Sequence, residues 1–344
     1  MHLIIDIRTS ERYTLIERYA SSWVTLWLER HPTDRVSYLH LAHQECPNNG
    51  GSLIVRPARG WWTTKIPLRN PDSTEIYRYL SFSPYPIYES EISSIRHIWD
   101  NGSILYPRIS SSWLARFSSL RDTHTYRWET IIVPCLAVWR EIVEIQHIAE
   151  EHMEIIPYLT LAHILPDRHI LSQLWLTGAY WIHDGTYGSE SGIEALLTGY
   201  ASYRHLGGHH SLILSGVMTP EEMRYVSYQI QSRELMGSVR IIGALHWAQL
   251  EALYMSASGW IYVWGYYMGW PRIELARSHH IPLLISDIDA FVDYREWSIV
   301  VHPSHLGDLK ETLQILETRE SQQYSKIPNE ALMKWYEKIL AEKR

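Results

Sequence analysis

Residues 239–286 read VRIIGALHWAQLEALYMSASGWIYVWGYYMGWPRIELARSHHIPLLIS, and this stretch decides the fold. Three short apolar runs, Val239-Arg-Ile-Ile, Trp260-Ile-Tyr-Val and Ile281-Pro-Leu-Leu-Ile-Ser, alternate with two helical patterns. One pattern runs from His246 to Ala257; the other is opened by Pro271. Short apolar strands that alternate with helices are buried on both faces, which indicates a parallel sheet with helices packed on each side. The pattern continues outward. Upstream, Tyr180-Trp-Ile-His and Ser211-Leu-Ile-Leu-Ser are strand candidates, and residues 191–203 read as a helix. Thr219-Pro-Glu-Glu opens another helix with a capping signature. Downstream, Trp297-Ser-Ile-Val-Val closes the series. The second half of the chain is a Rossmann-like domain on this reading.

The first half follows the same plan less regularly. Leu3-Ile-Ile-Asp is a strand, residues 13–28 carry helical periodicity, and Val36-Ser-Tyr-Leu-His-Leu is a second strand. Residues 44–70, punctuated by Gly and Pro, read as loops and an irregular hairpin. Further strands are expected at Ile95-Arg-His-Ile-Trp, Thr130-Ile-Ile-Val and Met153-Glu-Ile-Ile, with a helix over 138–147. The expected organisation is an N-terminal domain over 1–165 and a C-terminal domain over 177–325, with the linker in 163–176. A terminal helix over 326–344 follows, with Trp335, Tyr336, Ile339 and Leu340 on one face.

Composition agrees with two soluble domains. The chain has 344 residues, 46% hydrophobic and 20% charged. A net charge of −7 argues against a nucleic-acid partner, which needs a basic face. No apolar run approaches the ~20 residues of a spanning helix, and the first residues lack the features of a signal peptide. Cys46 and Cys135 have no metal spacing, so reduced thiols in a cytoplasmic protein are expected. Sixteen Trp against three Phe is an unusual balance. Indoles fill cores and stack on sugar rings; alternatively, a lineage reading UGA as Gly would leave false Trp in a standard translation. The pair Trp61-Trp62, with Trp264 and Trp270, borders glycines and carries that second reading.

No GxGxxG follows the first strand and no GxxxxGK[ST] occurs, so simple dinucleotide and P-loop readings fit poorly. The colinear order of several segments is more informative. Asp184-Gly-Thr-Tyr-Gly-Ser-Glu-Ser-Gly-Ile-Glu-Ala-Leu-Leu, then SLILSG, SVRIIGAL, QLEALYMSASGWIYV, GWPRIELA and IPLLISDIDAF, resembles the nucleotide-sugar half of family-4 glycosyltransferases. In the first half, HIWDNGSILYP and IIVPCLAVWREIVEIQHIAEEHMEIIPYL resemble the same family. The resemblance covers most of the chain. It implies the GT-B fold, an α/β architecture of two Rossmann-like domains facing a central cleft, with the C-terminal helix crossing back. It also implies retaining transfer of a hexose from a nucleotide-diphosphate sugar to a glycan or lipid-linked acceptor. The sugar nucleotide is a substrate, and no cofactor or metal is expected.

The resemblance assigns site residues one by one. Glu274 takes the place of the carboxylate that accepts two ribose hydroxyls; Pro271 places it in a first helical turn, where the macrodipole favours it. Without the resemblance it reads as an ordinary helix-start Glu. The family's second Glu, eight positions earlier, is Tyr266 here, a phenol without charge near neutral pH. Met268, Gly269 and Trp270 form the loop between, with backbone N–H groups for a sugar or phosphate. Tyr266 reads equally as aromatic packing. An Arg and a Lys that neutralise the diphosphate in most relatives correspond to Thr186 and Ser191, so neither cation is present. Backbone donors of the loop from Gly185 to Gly192 remain, and Arg204 and Arg272 are the nearest basic residues in sequence. Ile242 and Gly243 would lie beside the nucleotide base. On the acceptor side, Asp100 matches the family's Asp, while Trp99 replaces the His before it and His97 stands two residues back. His97 or Asp100 would orient or deprotonate the acceptor hydroxyl; both also read as strand-end and turn residues.

Other features read as structural. His209-His210 and His279-His280 lack a third ligand at fixed spacing and read as solvated ends. The acidic run from Glu141 to Glu154 reads as a solvated helix face. Residues 110–121 read as a core-packed helix, or as a peripheral contact at the inner face of the membrane, where lipid-linked acceptors reside. The replaced positions Trp99, Thr186 and Tyr266 motivate an alternative, a weak or inactive glycosyltransferase-like binding protein. A third reading keeps the fold with a sugar-nucleotide epimerase reaction.

Overall fold

The computed structural model describes residues 1–8, 15–42, 44, 46–55, 77–82, 94–99, 130–159, 165–185, 187, 191–216, 218–243, 245–263, 270–302, 309–319 and 328–342. The chain divides into two compact units, Met1–Leu161 with Lys326–Arg344, and Ala162–Ser325.

The first unit contains β1 (His2–Asp6), α1 (Leu15–Arg30), β2 (Arg35–Leu41), β3 (Gly51–Val55), β4 (Tyr77–Ser81), β5 (Ser94–His97), β6 (Thr130–Val133), α2 (Leu136–Glu141) and β7 (Met153–Ile155). Its sheet is ordered β3-β2-β1-β4-β5-β6-β7, with every pairing parallel. The expected hairpin near residue 50 is therefore corrected: β3 runs parallel to β2, with Ser37 opposite Gly51 and Leu41 opposite Val55. The sheet also contains β4, whose sequence YRYLS hides a strand because Arg78 and Ser81 are polar yet buried. The helix expected over 138–147 starts at Leu136, passes into a π-helical turn at Ile142–Gln146, and ends at left-handed His147 (φ 52°). The acidic run beyond it is solvated as expected at Glu144, Glu150, Glu151 and Glu154, but it crosses three different elements.

The second unit contains α3 (His169–Gln173), β8 (Tyr180–Asp184), α4 (Ile193–His205), β9 (Ser211–Ser215), α5 (Pro220–Ser232), β10 (Val239–Gly243), α6 (Trp247–Ser256), β11 (Gly259–Tyr262), α7 (Trp270–Ser278), β12 (Leu283–Ser286), β13 (Ser298–Val301) and α8 (Leu309–Thr318). Its parallel sheet is ordered β10-β9-β8-β11-β12-β13, the strand order of a dinucleotide-binding Rossmann domain. The expected cap of α5 is present in full. Thr219 N donates to Glu222 Oε2 at 2.7 Å, and Glu222 N donates to Thr219 Oγ1 at 3.2 Å, a pairing of about 1 kcal/mol. A 3-10 segment, Asp289–Trp297, joins β12 to β13.

The last helix, α9 (Asn329–Glu342), belongs to the first unit. Leu332, Met333, Tyr336, Ile339 and Leu340 are buried, whereas Trp335 is 44% exposed, so the expected apolar face is rotated away from Trp335. Tyr336 meets Trp23 edge to face at 5.4 Å between centroids. Glu337 pairs with Arg30 at 2.6 Å and with His31 at 3.0 Å. Those ion pairs lie at the surface, where each is worth about 0–1 kcal/mol. Burial of one large apolar side chain is worth about 1.5–3 kcal/mol, so packing rather than charge holds α9.

Four of the described indoles are core. Trp23, Trp27, Trp181 and Trp260 are at most 2% exposed, and Trp23 stacks on Trp27 at 5.2 Å. Trp61, Trp62 and Trp264, and the side chain of Trp270, lie outside the described residues, as do residues 110–121. In the second unit, Trp181, Leu196, Tyr200, Tyr203, Leu313 and Leu316 form one cluster beneath α4 and α8. The two helices approach so closely at Gly199 that an added Cβ would fall 2.7 Å from Leu309 Cβ.

Gly199→Ala tests this contact. Alanine gains ~1 kcal/mol of helix propensity, but overpacking costs ~1–3 kcal/mol. A net loss is expected, lowering the melting temperature by roughly 2–4 °C per kcal/mol. An unchanged or raised melting temperature would show that α4 and α8 are not in close contact there.

Candidate functional site

In an open parallel sheet, ligands bind outside the carboxyl ends of the strands, where the strand order reverses. In the second unit that point lies between β8 and β11. Three strand ends there are laced together. Gly185 N donates to Ser215 O at 3.1 Å, and Gly216 N donates to Gly243 O at 3.0 Å. Tyr187 Oη donates to Ser215 O at 2.6 Å and to His183 O at 3.0 Å. Gly216 has φ 131°, and a Cβ at this position would fall 2.2 Å from Gly185 O, so only glycine lets the two loops meet. A register shift between Ile241 and Gly243 bulges β10 at Ile242, a device that redirects a strand beside a site.

Asp184, the last residue of β8, is the centre of this edge. Its buried carboxylate accepts Tyr254 Oη at 3.1 Å and Arg272 Nε at 2.9 Å, both on Oδ2. Tyr254 comes from α6 and Arg272 from α7, so the carboxylate joins two helices to the strand. Burial opposes the charged guanidinium of Arg272, and the Asp184 carboxylate with the Tyr254 and Tyr262 hydroxyls together outweigh it, raising the group above its usual value. His183, one residue earlier, is fully buried, with Nδ1 2.9 Å from Ile261 O. Because a carbonyl only accepts, Nδ1 carries the proton. Burial pushes this imidazole down to about 4.

The expected site residues divide into three groups. Gly185, Ser191, Ile242, Gly243 and Glu274 lie among the described residues of the second unit. Gly185 spends its N–H on Ser215, so it offers no backbone donor to a phosphate. Ser191 is 1% exposed and its Oγ accepts weakly from Ile193 N at 3.4 Å, at the head of α4. Ile242 and Gly243 are half-buried at the strand end, and Gly243 has φ 63°. Glu274 is the fifth residue of α7, one place beyond the first turn expected for it, because the helix already begins at Trp270. Its 4%-exposed carboxylate is held instead by side chains. Oε1 accepts from Tyr294 Oη at 2.9 Å, and Oε2 pairs with Arg277. Thr186, Tyr266, Met268, Gly269 and Asp100 fall outside the described residues.

His97, expected on the acceptor side, forms the third group, and its described surroundings are aromatic. It is buried in the first unit, stacked near Phe82, Trp99 and Tyr336, with Nε2 3.0 Å from Tyr336 Oη. Burial pushes it down to about 3. Arg204 is also removed as a phosphate cation for α4: it stands in the last turn, about 17 Å from the helix N-terminus at 1.5 Å per residue. The histidine pairs are less solvated than expected. His279 lies 2.8 Å from Glu251, with side chains 5% and 0% exposed, and His210 lies 3.0 Å from Glu317. Among the described residues, no three metal-binding side chains gather, and no helix is long and apolar enough to cross a membrane. Neither Cys46 nor Cys135 is in a disulfide.

No protein-family model matches the chain, and no curated protein matches it. Solved structures do. HepE of Anabaena in complex with UDP-glucose superposes with a TM-score of 0.65 at 12% identity, over 92% of this chain and 89% of that one. WaaG, a glycosyltransferase involved in lipopolysaccharide biosynthesis, gives 0.62 at 12% identity over 93% and 91%. UDP-GlcNAc 2-epimerase from Methanocaldococcus jannaschii gives 0.59 at 13% identity over 99% and 100%. At such identities the likeness establishes the fold: two units, each a parallel Rossmann-like sheet, in the GT-B architecture of glycosyltransferases.

The neutral buried histidines give a pH prediction. An unfolded imidazole takes a proton near pH 6.5, whereas folded His183 holds out to about 4. Between those values the unfolded state binds more protons, so stability is complete above pH 6.5 and is lost as pH falls. The slope is about 1.4 kcal/mol per pH unit per proton. In His183→Asn, whose amide can still donate to Ile261 O, urea unfolding should show a shallower loss between pH 6.5 and 4. Parallel acid limbs for the two proteins would count against a neutral, buried His183.

Proposed function

We propose that the protein is a retaining glycosyltransferase that moves a hexose from a nucleoside diphosphate sugar to a glycan or lipid-linked acceptor. The supporting observation is the contact of Asp184, at the reversal point of a Rossmann-ordered sheet, with Arg272 of α7, the helix that also carries Glu274. In the reaction, the bond between sugar C1 and the diphosphate oxygen breaks, and its electron pair leaves with the diphosphate. The acceptor oxygen forms the new bond to C1, and its proton passes to the departing diphosphate oxygen. Negative charge grows on the leaving group, so fixed hydrogen-bond donors facing it lower the barrier. Glu274 receives the ribose hydroxyls, its carboxylate oriented by Tyr294 and Arg277. The bulged end of β10 at Ile242 and Gly243 flanks the base. Tyr266, Met268 and Gly269 meet the sugar, and Asp100 serves the acceptor, following the family resemblance. His97 has no such role, because it is part of an aromatic core. UDP-hexoses are the first sugar donors to test, since HepE is a structure in complex with UDP-glucose.

The epimerase among the matching structures supports a second reading, in which the same edge binds a sugar nucleotide and inverts one of its carbons. The product distinguishes the two: free nucleoside diphosphate with a glycosylated acceptor, or an isomeric sugar nucleotide.

A thermal-shift series with UDP, GDP and ADP and their sugars, with and without Mg²⁺, tests the reading. A ligand at a hundredfold excess over its Kd stabilises by about 2.7 kcal/mol. One nucleotide sugar should raise the melting temperature without Mg²⁺, and Glu274→Gln should weaken that ligand by about 10- to 100-fold, the worth of a charged hydrogen bond. Gln rather than Ala is the informative change, because removing the side chain would strand Arg277. No shift with any of these compounds would refute the transferase reading in favour of a glycan-binding protein.

A further inference from the structure

We propose that Arg272 is the cation that grips the diphosphate of the sugar donor, replacing the two basic residues that Thr186 and Ser191 fail to supply. The inference rests on the transferase reading above and names the group that does its electrostatic work.

Five other described arginines of the second unit are committed or misplaced. Arg204 lies at the far end of α4. Arg240 bonds Leu174 O from the middle of β10. Arg233 pairs with Glu194, and Arg295 with Asp287. Arg277 holds Glu274 and sits 5.2 Å from the Trp297 ring centroid. Arg272 alone of these meets the carboxyl end of β8, where the strand order reverses.

Its geometry leaves a usable fork. The contact with Asp184 runs through Nε at 2.9 Å. Neither Nη group has a hydrogen-bond partner among the described residues, and the side chain is 27% exposed, so it reaches the surface of this edge. Asp184, itself 5% exposed and bonded by Tyr254, fixes the plane of the guanidinium. A guanidinium oriented by one buried carboxylate presents two parallel N–H groups outward, the arrangement that matches two phosphate oxygens. His183 does not compete as a cation, since burial keeps it neutral at pH 7.

Isothermal titration of the full chain with UDP, with uridine and with inorganic pyrophosphate tests the proposal. Arg272→Gln should weaken UDP and pyrophosphate at least tenfold and leave uridine unchanged, and Arg272→Lys should recover part of the loss. The pair Arg272→Gln with Asp184→Asn removes both charges together, and should show the same selective loss should the single variant not fold. If the wild type binds UDP and both Gln variants bind it equally well, Arg272 is not the phosphate cation, while the transferase reading stands. If the wild type binds neither UDP nor pyrophosphate, nor GDP or ADP in the same format, both readings fall together.

Discussion

A carboxylate ends the inner strand of each sheet, Asp6 on β1 and Asp184 on β8, and the edge where a ligand would sit is built around it. Both are buried, and an unpaired carboxylate in such a place would be neutralised or would unfold its surroundings. Each is therefore met by an Arg and a Tyr, with Arg8 only two residues beyond Asp6 and Arg272 88 positions from Asp184. Asp6 accepts Arg8 Nε at 2.9 Å and Arg8 Nη2 at 2.8 Å, with Tyr79 on the same group. Asp184 accepts one nitrogen of Arg272 and the hydroxyl of Tyr254. The difference lies in closure. Arg8 is wrapped on its carboxylate and wholly buried, whereas Arg272 touches through one nitrogen and is partly exposed. A buried ion pair gives little net stability, because desolvation cancels most of the attraction. The closed pair in the first unit is a structural knot; the open pair in the second retains binding capacity.

Glycine placement makes the second edge usable. Gly216 allows the loops after β8 and β9 to touch, and Gly243 brings β10 back into register opposite Ser215 after the bulge at Ile242. Glu274 then arrives on α7 already oriented by Tyr294 and Arg277. Preorganised polar groups cost no rearrangement when charge develops. On the proposed transferase reading, Arg272 would supply the positive charge that Thr186 and Ser191 lack.

The strands of the second unit were legible because buried parallel strands read as short apolar runs between capped helices. Thr219 and Glu222 announced their cap by type and spacing alone. The strand β4 was hidden, since Arg78 and Ser81 sit buried in a sequence that looks polar. In the site, Glu274 was visible only through the resemblance of its segment. The pairing of Asp184 with Arg272 spans 88 positions and has no local signature. His97 looked catalytic for the converse reason: its partner Tyr336 lies 239 positions away on the last helix, and only the fold brings the aromatic rings around it. Local chemistry names candidates, and long-range packing decides which are site and which are core.

Hydrogen–deuterium exchange of the full chain, with and without saturating UDP, tests the central claim most directly. The account predicts slowed exchange at the carboxyl ends of β8 and β10, at the head of α4 and across α7, with β1, β2 and α1 unaffected. Protection confined to the first unit, or UDP binding with no protection around Asp184 and α7, would contradict it.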